Sequence, residues 1–449
     1  MAQRTRERDE IPDRFKWQTR HLCPSDEAWQ RERRKLARTF PKISAMQGKL
    51  GTSAAVLRCL QQTFDARRQL ARLANYAHRK HDEDTRVAKY QAIKDVIEKV
   101  SVELGTASAF VEPELLALPT ARLRAMIKDP RFAEFDRYLR ELLRQKRHVL
   151  SPAEEALLAR TSLMHDSGHN AYATFSAADL RFPSIRRGKG KPMELTQSLF
   201  SRYRASPRRK LRRAAFDTFF GTYAGYRNTL AALLSAQVNA NLVQAQARRY
   251  RDALEAALDP DDIPVSVYHS LIKAANKHLP KLHRYLELRR RLLGLKRLRY
   301  YDLYVPMVEA VRFKIPYEKG CRLLLEAMAP MGPAYVEALA HGLAPESGWV
   351  DPFPNAGKRS GAYMEGSAYD VHPYVLGNYL DDYNSLSMIA HEMGHAIHSH
   401  LSNAHQPYPK ADYSIFVAEV ASTLNEALLA EDLGRRLQGK KRRFLLGEQ

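Results

Sequence analysis

The sequence predicts a mainly α protein of two or three packed lobes with one small strand element. Three observations lead there: long runs of helical apolar periodicity, a length beyond what one core needs, and a single region of strand-like texture. The 449 residues carry 45% hydrophobic side chains, an ordinary share for a globular chain. Val56, Leu60, Phe64, Leu70 and Leu73 recur at helical spacing, and Val87, Tyr90, Ile93, Ile97, Val100 and Leu104 form a second stripe. Similar patterns run through 139–150, 211–243 and 282–298. Ser151-Pro152, Ser206-Pro207 and Asp259-Pro260 punctuate them, because proline cannot continue a helix. Residues 186–192 are a Gly/Lys/Arg stretch read as a loop, and no internal repeat is present.

Between 348 and 380 the texture changes. Trp349-Val350-Asp351-Pro352, Gly361-Ala362-Tyr363-Met364 and Tyr374-Val375-Leu376 read as short strands or extended segments. Asn384 or Ser385 is then the expected cap of a helix reaching about Leu401, and another helix is expected over 413–433. The lobes are expected at 1–110 (helical), 111–195 (helical, linking) and 196–449 (carrying the motif below).

Lys and Arg total 72 against 50 Asp and Glu, a formal net charge of +22. The basic clusters lie at 186–191, 208–213, 289–299 and 440–443, and all but the first interleave with Leu or Phe at helical spacing. Solvated helix faces are the preferred reading over an RNA, acidic-peptide or membrane surface, so nucleic acid is not an expected partner. Cys23, Cys59 and Cys321 are too few and too scattered for a disulfide framework or a thiolate zinc cluster, which suits a reducing compartment. The first 15 residues are densely charged and lack an apolar core, and no stretch approaches the roughly 18 apolar residues that span a bilayer. A cytoplasmic protein with no membrane association is expected.

His391-Glu392-Met393-Gly394-His395 is the H-E-x-x-H pattern. An α-helix of about 3.6 residues per turn stacks its histidines one turn apart on one face, as two ligands of one ion require. Glu392 lies beside them, placed to act as general base on a water without being a ligand itself. A catalytic zinc takes three protein ligands and leaves one position open, so the third must come from elsewhere. In the helix expected over 413–433, Glu419, Ser422, Thr423 and Glu426 fall at i, i+3, i+4 and i+7, one polar stripe among Val, Ala and Leu. Such a stripe costs stability unless it has partners. Glu419 is the expected ligand, and Glu426 the carboxylate that orients a ligand imidazole. These residues predict a zinc metallopeptidase of the gluzincin type, holding one Zn²⁺ per chain.

Other histidines compete less well. His165 and His169 are also four apart, but Asp166-Ser167-Gly168 between them gives a turn signal and no glutamate base. His398 follows His391 by seven residues and lies near the same face, which fits either support of a ligand or packing in the core. His400 and His405 read as surface or loop. No G-x-S-x-G elbow occurs, and Gly357-Lys358-Arg359-Ser360 lacks the glycine that a phosphate-binding loop needs five residues earlier.

At these residues the chain resembles the oligoendopeptidase F branch of the thimet-oligopeptidase-like zinc peptidases. The likeness spans 11–17, Tyr301-Asp302-Leu303-Tyr304-Val305-Pro306, 357–363, 391–399 and 418–426. It implies zinc on His391, His395 and Glu419, with Glu392 catalytic. It also implies a zincin-type, largely helical shell around a channel between lobes, with 196–449 as the catalytic domain. That channel would admit short or unfolded peptides whose internal bonds are cut. Gly361, Ala362 and Tyr363 resemble the strand that pairs with substrate backbone. Family members continue about a hundred residues beyond the second zinc helix, with a His/Tyr segment at the scissile carbonyl, so a C-terminally incomplete chain is expected. Two rival readings remain: a zinc-binding but catalytically impaired fragment, and a basic helical nucleic-acid-binding protein in which the pentad is accidental.

Overall fold

The structure, a computed structural model, describes residues 6–151, 154–155, 157–158, 164–185, 192–308 and 314–448. Its longer helices, in chain order, begin with α1 (Asp26–Ala37), α2 (Ser53–Glu83), α3 (Ala88–Ser108), α4 (Asp136–Gln145) and α5 (Ser167–Thr174). They continue with α6 (Gln197–Arg204), α7 (Arg209–Gly225), α8 (Arg227–Ala247), α9 (Val265–Leu292), α10 (Tyr317–Ala327) and α11 (Pro333–Leu343). After strands β1 (Val350–Asp351), β2 (Tyr363–Glu365) and β3 (Tyr374–Leu376) come α12 (Tyr383–His405), α13 (Ile415–Arg436) and α14 (Gly439–Glu448). The fold is mainly α with one small sheet, as expected. No helix among the described residues is long and apolar enough to cross a membrane.

Two compact units emerge: Met1–Lys146 with Val311–Gln449, and Arg147–Ala310. In the first, α2 and α3 bury Val56, Leu60 and Leu73 and Ile93, Ile97 and Leu104, the predicted stripes. The sheet has order β1-β3-β2, with β3 parallel to β1 and antiparallel to β2. Successive side chains of a strand point to opposite faces. Val375 therefore enters a core with Trp349, Leu386, Ile389 and Met393, while Tyr374 and Leu376 enter another with Trp17, Trp29 and Ile97.

Lys358, from the segment with a faint phosphate-loop look, is buried instead against Asp351. Its Nζ lies 2.7 Å from Asp351 Oδ1 and donates to the Asp351 and Phe353 carbonyls, while Arg8 pairs with Oδ2. Burial pushes the Lys358 ammonium below its ordinary range. This knot ties β1 to the loop that leads into β2.

The second unit departs from several expectations. The run over 211–243 is two helices, α7 and α8, meeting at Tyr226. The run over 282–298 belongs to α9, which begins at Val265, passes Pro280 and ends at Leu292. Of the expected turn at 166–168, Asp166 is a turn residue while Ser167 and Gly168 begin α5, and a Cβ at Gly168 would lie 2.9 Å from the Leu233 oxygen of α8. The basic clusters at 208–213 and 289–299 are not wholly solvated faces: Arg212 and Arg289 are buried. Arg209 Nη2 and Arg212 Nη2 lie 2.9 and 2.7 Å from the fully buried Asp302 carboxylate, and Arg289 donates to the Asp302 carbonyl. An uncompensated buried carboxylate is costly, which is why the cations turn inward. The cluster at 440–443 does lie on an exposed face, of α14, while 186–191 falls outside the described residues.

Candidate metal centre

α12 is longer than expected, and its cap is Asp382 rather than Asn384 or Ser385. The Asp382 side chain accepts from Ser385 N at 2.8 Å, an N-cap that satisfies an orphan amide of the first turn. The helix buries Leu386, Ile389, Ala390, Met393, Ala396 and Ile397, so its polar edge carries His391, Glu392 and His395. It packs on α13, which starts at Ile415 rather than 413. A Cβ at Gly394 would sit 2.7 Å from the Ala421 oxygen and 2.8 Å from Ser422 Cα, so glycine is what lets the helices cross this closely.

Three ligand-type atoms converge at that crossing. His391 Nε2 and His395 Nε2 are 3.2 Å apart, and Glu419 Oε2 is 3.5 Å from the first and 3.7 Å from the second. Among the described residues this is the one set of three His, Cys or carboxylate groups with metal-site spacing. His391 and Glu419 are held from behind. His391 Nδ1 lies 2.6 Å from Glu426 Oε1, whose other oxygen accepts from Ser387 Oγ at 3.0 Å. Ser422 Oγ donates to Glu419 Oε2 at 2.7 Å. With the His391 proton engaged on Nδ1 by Glu426, its Nε2 lone pair faces His395 Nε2 and the Glu419 oxygen. Ligand bonds of about 2.1 Å in a tetrahedral site put ligand atoms about 3.4 Å apart, so these residues fit one small divalent cation.

Glu392 is buried alongside. Burial raises its carboxyl pKa to about 7, Glu419 and Glu426 push the same way, and His391 and the Met364 backbone N–H oppose them. A cleft of about 1050 Å³ opens here, lined by Asn384, Ser387, His391, Glu392, Glu426 and Arg442.

The strand beside the helix is Tyr363–Glu365, so of the expected substrate segment only Tyr363 lies in it; Gly361 and Ala362 precede it. Asn378 Nδ2 fixes the Gly361 carbonyl at 2.8 Å. Tyr363 turns its ring away, bonding Asp82 Oδ2 at 2.5 Å between Arg79 and Arg359, which leaves its backbone rather than its side chain for pairing. Among the described residues β2 pairs with β3 on one edge and with no strand on the other.

His398 stacks on Tyr413 with ring centroids 3.8 Å apart, and its Nδ1 is buried without a hydrogen-bond partner. His400 and His405 are on α12, not in a loop: His400 is half-buried against Trp349, and His405 Nδ1 bonds the Leu401 carbonyl. His165 pairs with Asp166 at 3.0 Å and, among the described residues, joins no set of three metal-type groups. Of the polar stripe, Thr423 is exposed and bonds only the Glu419 carbonyl of its own helix. Sequence reasoning missed Ser387, Gly394 and Asn425. Ser387 carried a signal, one turn before His391, whereas nothing local marks Asn425 as fully buried.

The family model described as "Peptidase family M3" matches residues 202–443, and "Oligopeptidase F" matches 114–182. Oligopeptidase PepF of Bacillus subtilis is 39% identical over 442 residues, 98% of this chain and 66% of that protein. Group B oligopeptidase PepB of Streptococcus agalactiae is 33% identical, over 98% of this chain and 73% of its own length. A crystal structure from Chlamydophila abortus, described as that of a peptidase, superposes with TM-score 0.91 at 32% identity, covering 99% of this chain and 75% of that one. Oligoendopeptidase-F from Enterococcus faecium gives TM-score 0.63 at 28% identity, covering 94% and 70%. The chain thus spans about two thirds to three quarters of the length of these relatives.

Proposed function

The chain belongs to peptidase family M3, in its oligopeptidase F branch, and from that premise we propose that it is a zinc-dependent endopeptidase cutting internal bonds of short or unfolded peptides. The observation that carries the proposal is the convergence of His391 Nε2, His395 Nε2 and Glu419 Oε2 beside a buried Glu392. These three atoms would hold a zinc ion, which when bound would supply a Lewis acid for the scissile carbonyl and lower the pKa of water. Glu392 takes a proton from the attacking water and returns it to the leaving amide nitrogen, in reach of both because it lies next to the ligands without being one. Glu426 holds His391 in the tautomer that presents Nε2, and His398 braces the far end of the same helix face. Substrate backbone adds to the free edge of β2 through Gly361, Ala362 and Tyr363, which gives affinity with little side-chain demand. Oligopeptides are the partners, and the cytoplasm is the setting that three unpaired cysteines suit. Because Arg212 and Arg289 are buried, the basic surface on which a nucleic-acid reading would rest is reduced.

Glu392→Gln tests this, with metal content and cleavage of a quenched fluorescent oligopeptide measured on the same preparations. Metal should stay stoichiometric while cleavage falls by about a hundredfold to ten-thousandfold. A variant that cleaves like its parent would remove Glu392 from the mechanism. A parent chain that holds no metal after zinc-replete expression would overturn the reading at its base.

A further inference from the structure

Behind the three ligand-type atoms, α12, α13 and α11 meet through one buried amide. Asn425 is fully buried; its Nδ2 donates to the Ala390 carbonyl at 3.1 Å and its Oδ1 accepts from the Tyr335 hydroxyl at 2.8 Å. The amide can face only one way. A carbonyl accepts and never donates, so the amino group must point at Ala390, and the oxygen is left for Tyr335.

Both anchor points adjoin the metal group. Ala390 immediately precedes His391, and Asn425 immediately precedes Glu426, the carboxylate on His391 Nδ1. The close crossing at Gly394 fixes how near the helices come, but apolar side chains and glycine contacts permit sliding along the helix axes. A directed hydrogen bond does not, because it weakens steeply with angle and distance. Productive metal geometry tolerates roughly 0.5 Å of error, less than the 1.5 Å rise of one helical residue.

We propose that Asn425 is a positioning residue: with Tyr335 it sets the axial register of α13 against α12, and thereby the spacing of the Glu419 carboxylate from the two imidazoles. This rests on the metal-binding reading above. It differs from a packing role in a measurable way. Replacing both partners of a buried hydrogen bond by apolar groups of similar shape is close to neutral for stability. A double variant, Tyr335→Phe with Asn425→Leu, removes that pair together, and the Ala390 carbonyl that loses the Asn425 amino group lies inside α12 with the backbone ladder of the helix to accept from, so the melting temperature of the metal-free chain should stay near that of the parent.

The test is chelator competition with Zn²⁺ and Co²⁺, together with the visible absorption bands of the Co²⁺ form and the melting temperature of the metal-free chain. Expected for the double variant is metal affinity lowered by about 10 to 100-fold with displaced Co²⁺ bands and an unchanged melting temperature. Tyr335→Phe alone keeps the Ala390 bond and should move affinity and bands in the same direction by a smaller factor, so the idea remains testable even where Asn425 variants fail to fold. Parent-like affinity and parent-like Co²⁺ bands in both variants would overturn the positioning role while leaving the metal site standing. A parent chain that binds neither ion would instead overturn the metal reading, and the positioning role with it.

Discussion

Each compact unit gathers charged and polar groups from separate segments onto one point, and the two gatherings end differently. In the second unit the Asp302 carboxylate accepts from Arg209 Nε and Nη2, from Arg212 Nη2 and from the Arg299 backbone, so both oxygens are fully engaged. Burial alone would raise its pKa, but the two guanidiniums outweigh that and hold it below the usual carboxylate range. In the first unit His391, His395 and Glu419 turn three electron-pair donors toward one another, and what holds them approaches from behind. The Asp302 cluster is complete within the protein; the cluster of His391, His395 and Glu419 is complementary to a cation. A cluster whose polar groups satisfy one another is structural, and one whose acceptors face each other calls for a positive charge from outside.

The units also differ in what surrounds these points. The metal group sits on a broad core that includes Trp349, Leu386, Ile389 and Met393. Among the described residues the second unit has a core cluster of Ile185, Leu195, Phe200 and Ala215, while Leu234 on α8 and Leu271 on α9 are each 67% exposed.

The largest expected effect falls on the open cluster. His395→Ala and Glu419→Ala should each lose the ion outright in elemental analysis, since two protein ligands rarely hold a catalytic zinc. Retention of full occupancy by Glu419→Ala would show that the third ligand lies elsewhere. On the saturated cluster, Asp302→Ala leaves Arg212 buried without its counter-charge and should lower stability by about 3–5 kcal/mol in denaturant titration, with the spectrum of the bound Co²⁺ form unchanged. A loss below about 1 kcal/mol would mean the knot is peripheral to folding. Glu426→Ala acts on a support rather than a ligand: metal affinity should drop by about 10 to 100-fold, read by chelator competition, without abolition of binding. The smallest effect belongs to the entrance of α12. Asp382→Ala removes the cap on Ser385 N and should cost about 1 kcal/mol of stability with metal affinity at parent level, whereas Asn384→Ala, which removes no cap, should be near neutral.

Much of this arrangement is local and was therefore legible in the residues. The stripes of α2 and α3, the short strands near 350, 364 and 375, and the shared face of His391 and His395 follow from periods of 3.6 and 2, which backbone sterics impose wherever the chain goes. The polar stripe on α13 marked Glu426 as a carboxylate for a ligand imidazole, because helical spacing puts it on the face of Glu419, while which imidazole it meets, His391, is set by the packing of α12. The same reasoning misplaced the α12 cap by two or three residues, since Asp, Asn and Ser are all good caps and the choice depends on where the preceding loop turns.

What the sequence by itself determined, then, is which residues share a face; what only the tertiary structure decided is what each face meets. Residues 1–146 and 311–449 form one unit although 164 residues separate them in the chain, and no local pattern carries that fact. Arg212 and Arg289 have the same helical spacing as solvated arginines, and only the arrival of Asp302 between them puts them inside. Asn425 is the clearest case: on its own helix it is one more polar residue, and it becomes a buried bridge because α12 and α11 bring a carbonyl and a hydroxyl to it. Periodicity is a property of one backbone, set by bonds between near neighbours, whereas register between helices is set by side chains far apart in sequence whose contacts exist only after the chain has closed on itself.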